Sequence, residues 1–214
     1  YKIALSLIPK VGPVLAKRLI AYTGSPEAVF RQSRSSLLKI PNVGEYLASA
    51  IKSANYPEIA EEEIQFAQKY GIQVTFFTDK HYPDRLKNCE DSPIILYSKG
   101  NVDFSGLKIL SVVGTRKPTE EGLEACQKLI QDLAYHNSQL LIVSGLAYGI
   151  DICAHNAALE HGLKTVAVLG HGLGMVYPAS HRKMAEKISR EGALVSEFRS
   201  KTQAVAGNFI SRNR

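Results

Sequence analysis

The spacing of apolar residues predicts helices in the first third of the chain. Within residues 1–70, Ile8-Pro9-Lys10-Val11-Gly12 recurs 32 residues later as Ile40-Pro41-Asn42-Val43-Gly44. Each copy precedes a run with helical spacing, PVLAKRLIAY or EYLASAIKSA. Between the copies, Ser25 is placed to cap a helix that begins at Pro26. We therefore predict a small all-helical domain over residues 1–70, built from two helix-hairpin-helix units.

From residue 71 the pattern changes to that of strands. IQVTFFT alternates in polarity, and PIILYSKG follows it after a loop. Beyond these, four apolar runs are separated by helical stretches: KILSVVG, LLIVSG, KTVAVLG and ALVSEF. Strands and helices that alternate in this way are typical of βαβ units. Residues 71–214 are therefore predicted to form a doubly wound α/β domain with a mainly parallel sheet that is covered on both faces.

Composition is compatible with an ordinary folded protein. Apolar residues make up 45% and charged residues 21% of the 214 residues, and no apolar run approaches the length of a membrane span. The opening segment also lacks the apolar stretch of a secretory signal, so we expect a soluble cytoplasmic protein without membrane contact. Because the chain does not begin with Met, we expect it to be part of a longer protein.

The three cysteines are far apart in the sequence and stand in apolar or helical contexts. Cys89, Cys126 and Cys153 are therefore expected to be buried, reduced thiols. We expect neither a disulfide framework nor a metal site, and no cofactor.

The net charge points towards an anionic partner. Lys and Arg number 26 against 20 Asp and Glu, which gives a charge of +6 and an isoelectric point near 9.2. A basic protein of this kind suits a nucleic acid, although many soluble enzymes have a similar charge. Acidic residues gather at Glu61–Glu63, whereas the end of the chain, SRNR, is purely basic. The basic character is therefore local.

The loops after the predicted strands are the places to look for a ligand, since ligands bind beyond the carboxyl ends of parallel strands. The first such loop begins Gly114-Thr115-Arg116-Lys117 and leads into a helix. Glycine permits close approach, a helix N-terminus attracts anions, and Arg116 can bind a phosphate with two N–H groups. The loop has neither the dinucleotide G-x-G-x-x-G spacing nor a GK[ST] phosphate loop. The alternative is a plain strand-to-helix turn with a solvated Arg116.

The next two loops are also rich in glycine. Ser144 to Gly149 offers an anion a hydroxyl and two glycines, and Asp151 stands four residues before His155. No nucleophile accompanies this pair, so we interpret it as a carboxylate that orients a structural histidine. The third loop runs from Gly170 to Pro178 and contains His171, which we interpret as a polar loop residue.

The two hairpins have their own candidate chemistry. The N–H groups of such a turn and of the following helix can bind a DNA phosphate, with Lys10, Lys17 and Lys52 adding charge. Asparagine tolerates the left-handed conformation that the turn needs and lysine does so poorly. The hairpin with Asn42 and Gly44 is therefore expected to be closer to a DNA-binding turn than the one with Lys10 and Gly12. The alternative is a module for helix packing or protein docking.

Several motifs, taken in order, resemble one known family. They are Leu110–Arg116 with Thr119 and Gly122, VSGLAYGIDICAH, VAVLGHGLGMVYP, SEF and NFISRNR, preceded by HYPDRLKNCEDSPIILYSKG. This set resembles the signature of the DprA (Smf) family of DNA-processing proteins over about two thirds of the chain. Any one of these motifs would be unspecific, whereas their joint occurrence in this order is highly specific.

The resemblance implies a Rossmann-like core that binds single-stranded DNA, protects incoming strands in natural transformation and loads the RecA recombinase. It further implies a homodimer and no enzymatic activity. By position, it places the DNA-binding residues in three groups, with the hairpin residues as an auxiliary contact: Gly114, Arg116, Lys117; Ser144, Gly145, Ala147, Gly149; Arg212, Asn213, Arg214; and in the hairpins Lys10, Gly12, Asn42, Gly44. Since the family pattern runs on into further strands, the C-terminal part of the core is expected to lie outside the chain.

Two other functions remain open at this point. The first is enzymatic, because nucleotide phosphoribohydrolases of the lysine decarboxylase-like type share a Rossmann-like architecture. Those enzymes carry a PGGxGTxxE phosphate loop, and no segment of this form occurs here. The second is a protein-docking module without DNA affinity, against which the basic SRNR end argues.

Overall fold

The structure is a computed structural model that describes residues 1–53, 55–101, 103–104 and 107–214. Contacts divide it into two compact units, Tyr1–Tyr70 with Val74–Leu96 and Gly71–Gln73 with Tyr97–Arg214. The sequence-based division at residue 70 assigned Val74–Leu96 to the second domain, whereas the structure groups this segment with the helices. Apolar periodicity does not detect the polar contacts that join such a segment to a neighbouring domain.

The first unit consists mainly of helices: α1 (Lys2–Ser6), α2 (Pro13–Thr23), α3 (Pro26–Arg31), α4 (Arg34–Leu37), α5 (Glu45–Ser53), α6 (Tyr56–Tyr70), β1 (Gln73–Phe76) and α7 (Asp84–Lys87). Both predicted hairpin helices, α2 and α5, are confirmed, and Ser25 caps α3 by accepting from the Ala28 N–H at 3.1 Å. Two lysines bind the segment after β1 to the helices. Lys2 pairs with Asp79, and the Lys17 ammonium donates to the Glu90 carbonyl at 2.8 Å and to Ser92 Oγ at 2.9 Å.

The second unit contains the predicted alternation of strands and helices: β2 (Ile95–Gly100), which begins in the first unit, β3 (Lys108–Ser111), α8 (Glu120–His136), β4 (Leu140–Ser144), α9 (Ile150–Glu160), β5 (Lys164–Leu169), α10 (Arg182–Glu191), β6 (Ala193–Ser196) and α11 (Ala206–Asn213). A short 3₁₀ turn, Ala179–His181, precedes α10. The strand order is β1-β2-β6-β5-β4-β3, with β3 to β6 parallel and β2 antiparallel to β6. The predicted α/β class with a mainly parallel sheet is confirmed.

The three connecting helices α8, α9 and α10 pack on one face of this sheet. Ile142 pairs with Thr165 and Ala167 pairs with Leu194, so these residues share a face. Ile142 packs with α8 and α9, while Ala167 and Leu194 pack with α9 and α10. Strands that follow one another in sequence and in space, joined by right-handed crossovers, place their helices on one side. The sequence pattern does not predict which face these three helices cover, because apolar periodicity carries no information about strand order.

Cysteine accessibility differs in part from the expectation. All three cysteines are free thiols, but Cys89 is exposed, and only Cys126 and Cys153 are buried, between α8 and α9. Burial, together with the neighbouring Cys153, raises the pKa of Cys126 to about 12, so this thiol stays protonated. Within the described residues, no helix has the length and apolar character needed to cross a membrane.

His155 is fully buried on α9 and acts as a structural residue. Its Nδ1 lies 2.7 Å from Thr165 Oγ1, which itself donates to the Ile142 carbonyl at 2.9 Å. The histidine therefore donates to the threonine. Burial, with a smaller contribution from His181, lowers the pKa of His155 to about 3. The imidazole is neutral in the folded protein at every pH at which the protein is ordinarily handled.

This burial predicts an acid-sensitive stability. Below pH 6.5 His155 becomes protonated in the unfolded chain, whereas in the folded chain it stays neutral down to about pH 3. The free energy of unfolding should therefore fall by about 1.4 kcal/mol per pH unit from this residue alone as the pH drops below 6.5. Asparagine keeps a donor for Thr165. Urea unfolding of His155→Asn at several pH values should therefore show that this contribution to the pH dependence of the free energy of unfolding is lost.

The matched control is His161→Asn, because His161 is exposed at the end of α9. His161→Asn should leave the pH dependence of the free energy of unfolding as it is in the unmodified chain. An unchanged slope in His155→Asn would show that the histidine is protonated in the folded state.

Candidate functional site

The four parallel strands β3 to β6 end at one edge of the sheet, and the loops that leave this edge contain most of the predicted site residues. Residues 112–119 follow β3, residues 145–149 follow β4 and residues 170–178 follow β5. Parallel strands bring these loops together by geometry alone. The carboxyl edge of the sheet is therefore the candidate functional site.

The first two loops are joined by their backbones at Gly149. This residue has a positive φ of 77°, and a Cβ at its position would lie 2.2 Å from the Thr115 carbonyl oxygen. The next N–H, that of Ile150, donates to the same oxygen at 3.2 Å. Gly114 is equally close to α9, since a Cβ there would meet the Ile150 side chain at 2.6 Å. Both glycines allow the two loops to pack closely.

Asp151 organises the loop after β4. Its carboxylate is buried and accepts from the N–H groups of Gly145, at 3.1 Å, and Ala147, at 3.4 Å. Ser144 is also buried, and its hydroxyl donates to the Val112 carbonyl at 2.7 Å. The donors that the sequence suggested for an anion are thus bound internally. The prediction that Asp151 orients His155 is wrong, because the backbone amides are its partners.

Helix α11 lies against two of these loops. The Arg212 guanidinium rests on the backbone of Gly145, where a Cβ would come within 1.6 Å of Nη1, and Nη1 donates to the Val168 carbonyl at 3.1 Å. Phe209, one helical turn earlier, covers Gly170, where a Cβ would come within 2.6 Å of the ring. The segment NFISRNR yielded Arg212, Asn213 and Arg214 as candidate DNA-binding residues, but the helix was not predicted. The spacing of Phe209 and Arg212 by three residues was the signal for a helix with one half-buried face.

Arg116 and Arg212 concentrate positive charge at this edge. The Arg116 guanidinium carbon lies 5.8 Å from the centre of the Phe209 ring. The pKa of Arg212 is lowered chiefly by burial and further by Arg116, while Asp151 opposes this effect. The Arg212 Nε is buried and has no hydrogen-bond partner among the described residues. Burial, the nearby Asp151 carboxylate and the charge of Arg116 all act on Arg212, so two guanidinium groups lie close to each other at this edge.

The other basic residues of the predicted site are arranged differently. Arg214 forms an ion pair with Glu197, which neutralises it. Asn213 is exposed as the last residue of α11, and Lys117 is exposed in the loop after β3, where its N–H donates to Thr115 Oγ1 at 3.1 Å. The structure thus brings Arg116 to the Phe209 ring and places Arg212 within charge interaction of Arg116, while Arg214 is paired with an acid.

The loop after β5 is held by His171, which is buried. Its Nδ1 lies 2.9 Å from the Gly172 carbonyl, and its Nε2 accepts from the Tyr177 N–H at 3.2 Å. Tyr177 is half exposed, and its ring lies 5.9 Å from that of Phe209. His171 is therefore structural, and Tyr177 adds a second aromatic ring to the edge. The sequence analysis did not single out either aromatic residue, because no short motif marks them.

The two hairpins adopt the same turn. Val11 N donates to the Ile8 carbonyl at 3.1 Å, and Val43 N donates to the Ile40 carbonyl at 3.1 Å. The third residue of each turn has a positive φ, 63° at Lys10 and 68° at Asn42. With proline in the second position, this is the type II pattern. The expected conformational difference between the hairpins is therefore absent.

The Lys10 ammonium lies 4.6 Å from the centre of the Tyr46 ring. This cation–π contact offsets part of the cost of the left-handed backbone conformation at Lys10. The hairpins differ instead in charge. Helix α2 has no acidic residue in its first turn, whereas α5 begins with Glu45, which pairs with Arg34. Lys17 and Lys52 donate to carbonyl groups within the first unit and keep their charge.

Two family models match separate parts of the chain. Residues 73–214 match the family model of DNA recombination-mediator protein A. Residues 3–54 match the model of the SAM-like helix-hairpin-helix tandem. Within the described residues, no group of three or more His, Cys, Asp or Glu side chains is arranged to hold a metal ion.

Several curated proteins are similar to this chain. The DNA processing protein DprA of Streptococcus pneumoniae is 39% identical over 136 residues, which cover 64% of this chain and 47% of that protein. Protein Smf of Synechocystis is 33% identical over 222 residues, which cover 100% of this chain and 54% of that protein. The chain therefore spans about half the length of the curated relatives that it matches.

Two solved structures are similar as well. The structure of DprA from Streptococcus pneumoniae aligns with a TM-score of 0.81 at 27% identity, covering 98% of this chain and 71% of that one. The structure of DNA processing protein A from Helicobacter pylori aligns with a TM-score of 0.58 at 28% identity, covering 67% of this chain and 63% of that one. The latter work describes a single-stranded DNA binding mode for the Helicobacter protein.

The junction at Gly149 yields a prediction about stability. Gly149→Ala forces a Cβ onto the Thr115 carbonyl in addition to the strain of a positive φ. Gly162→Ala is the matched control, because Gly162 has a φ of 72° and nothing within 4 Å of the added Cβ. We expect urea unfolding to show a loss of about 1 kcal/mol for the control and at least about 2 kcal/mol more for Gly149→Ala. Equal losses would mean that the two loops are not joined at this point.

Proposed function

Because the chain belongs to the DNA recombination-mediator protein A family, we propose that residues 107–214 bind single-stranded DNA at the carboxyl edge of the sheet. The observation that supports this most is a pair of arginines at this edge, Arg116 over the Phe209 ring and Arg212 close enough for the two charges to interact. The charges of Arg116 and Arg212 oppose each other, and the Asp151 carboxylate acts on Arg212. A phosphate bound between the two guanidinium groups supplies a countercharge to both.

The aromatic residues suit a single strand better than a duplex. Phe209 and Tyr177 lie beside the two arginines, and unpaired bases stack on rings of this kind whatever their sequence. No helix of the described core projects as a major-groove reader, since α8, α9 and α10 lie on a face of the sheet. The binding is therefore tolerant of sequence and sensitive to salt. The single-stranded DNA binding described for the Helicobacter relative supports the same assignment.

The wider role concerns the whole protein, of which this chain spans part. In our proposal the protein is a cytoplasmic homodimer that protects incoming single strands during natural transformation and loads RecA onto them. It binds DNA without carrying out a reaction on it. Membership of the family supports these roles, and the basic edge supplies the strand contact that each of them requires.

Arg116 provides the first test. Its side chain is exposed and its guanidinium lies over the Phe209 ring, so Arg116→Ala should leave the thermal midpoint almost unchanged. Affinity for an oligothymidylate should fall about tenfold or more, and the slope of log affinity against log salt should decrease by about 0.7, as expected for one lost phosphate contact. Fluorescence anisotropy at several salt concentrations measures both quantities.

The control for this measurement is Arg190→Ala, which removes an exposed arginine from the last turn of α10. It should change neither the affinity nor the slope by a comparable amount. Duplex DNA of the same length should bind more weakly than the single strand. An unmodified chain that prefers duplex, or whose affinity does not change with salt, contradicts the proposed function.

The second test separates the core from the hairpins. Arg116→Glu and Lys10→Glu make the same change of charge in two different surfaces. We expect Arg116→Glu to lower the affinity at least tenfold and Lys10→Glu to lower it less than about threefold, because a single hairpin adds only an auxiliary phosphate contact. The opposite order in the same anisotropy assay would move the strand site to the hairpins.

A further inference from the structure

Two of the three cysteines meet where α8 packs on α9. Cys126 lies on α8 and Cys153 lies on α9, and both belong to the buried cluster between these helices. The Cys153 thiol donates to the Leu123 carbonyl, with a distance of 3.7 Å from Sγ to the oxygen. The Cys126 thiol in turn forms a hydrogen bond with the Cys153 side chain. The two sulfur atoms are therefore neighbours across the helix interface.

The packing of the two helices leaves room for a covalent link between these sulfur atoms. The other residues that α9 contributes to the cluster are small, namely Ala154, Ala157 and Ala158. Small side chains at a contact allow two helices to approach closely. A disulfide requires Cβ atoms about 3.8 Å apart and an S–S bond of about 2.0 Å. Thiols that already share a hydrogen bond need only a short movement to reach this geometry.

The two thiols differ in their access from outside. Cys153 lines an open groove of about 690 Å³ between α8 and α9, whereas Cys126 does not line it. Arg116 and Lys117 line the same groove. Reactive cysteines are found in electropositive settings that a reagent can reach. A small oxidant that enters the groove therefore meets Cys153 first.

Cys126 is placed to react second. Burial, together with the neighbouring Cys153, raises the pKa of Cys126 to about 12, and a protonated thiol is a poor nucleophile towards an oxidant. Its partner in the hydrogen bond is Cys153, so no large movement is needed for it to attack that sulfur. This is the position of a resolving cysteine, which closes a disulfide on a neighbour that has already been oxidised.

We propose that Cys126 and Cys153 form a reversible disulfide that a peroxide closes and a dithiol reductant opens. In the first step the Cys153 sulfur attacks the O–O bond of hydrogen peroxide, which yields a sulfenic acid and one water. In the second step the Cys126 sulfur attacks the Cys153 sulfur. The S–S bond forms, the S–O bond breaks, and the hydroxyl leaves as water with the proton of Cys126. Two thiols thus lose two electrons and two protons, and one peroxide becomes two waters.

The closed disulfide stabilises the second unit. It joins α8 to α9 and closes a loop through residues 127–152, which include β4. A cross-link of this kind restricts the unfolded chain. It changes neither Arg116 nor Arg212, so the proposed DNA-binding edge keeps its charge in both redox states. The inference therefore does not depend on the proposed function.

The experiment treats the folded full chain with hydrogen peroxide and digests it under non-reducing conditions. Thiol titration should show that two of the three free thiols are lost, and mass spectrometry should show one peptide pair that joins Cys126 to Cys153. Dithiothreitol should reverse both changes. The thermal midpoint of the oxidised chain should lie about 5 °C or more above that of the reduced chain.

Three serine variants test the assignment of each thiol. Cys89→Ser is the matched control, because Cys89 is an exposed thiol outside the cluster, and this variant should still form the cross-link. Cys126→Ser and Cys153→Ser should both lose the cross-link and the rise in thermal midpoint. Dimedone, which labels sulfenic acids, should label Cys153 in Cys126→Ser and should leave Cys126 unlabelled in Cys153→Ser. Thermal midpoints of the reduced variants check that each is folded.

Several results would overturn the inference. It is refuted if Cys126 and Cys153 stay reduced while Cys89 is oxidised, or if Cys153 proceeds to a sulfinic acid without a cross-link. A cross-link that forms only in urea refutes it as well, because the thiols would then not be neighbours in the folded chain. A cross-link in the folded chain that leaves the thermal midpoint unchanged or lowers it contradicts the stabilising role.

Discussion

The guanidinium of Arg212 lies directly on the backbone of Gly145, and this contact joins helix α11 to the end of β4. Any side chain at position 145 would displace the arginine. Asp151 makes the contact possible by turning the loop, since its buried carboxylate accepts from the N–H groups of Gly145 and Ala147. The same carboxylate partly offsets the burial of Arg212. Asp151 and Gly145 thus determine both the course of the loop after β4 and the position of the Arg212 charge.

This arrangement explains why the edge remains positive although its hydrogen bonds are largely internal. Ser144, Gly145 and Ala147 use these donors within the fold, and the bonds hold the loop after β4 in place. Charge comes from Arg116 and Arg212, and the aromatic surface comes from Phe209. The proposed DNA-binding surface is therefore composed of side chains that stand on an internally hydrogen-bonded backbone, which would need little reorganisation when a strand binds.

Much of the fold could be predicted from the sequence because it depends on local periodicity. Each apolar run from KILSVVG to ALVSEF became a strand, and the cap at Ser25 formed as its residue types require. Strand order could not be predicted, since it depends on contacts between distant segments. The attachment of Val74–Leu96 to the helical unit escaped prediction as well, because it depends on lysine contacts such as those of Lys17.

The candidate site was predictable in its location and less so in its details. Parallel strands place their carboxyl ends together, so the loops at Gly114 and Gly145 could be found from pattern alone. The role of Asp151 could not, because its partners are backbone amides that no motif records. At Lys10, by contrast, a known residue preference led to the wrong expectation. Its intrinsic preference argues against a left-handed turn, but Tyr46 and the preceding proline favour the turn that the structure contains.

Hydrogen exchange of the full chain, with and without an oligothymidylate, tests the central claim most directly. The account predicts that a bound strand slows amide exchange in residues 112–117 and in α11, where Arg116, Phe209 and Arg212 lie, and leaves the hairpins at residues 8–12 and 40–44 nearly unchanged. Protection confined to the hairpins, with the carboxyl edge exchanging as in the free protein, would contradict it.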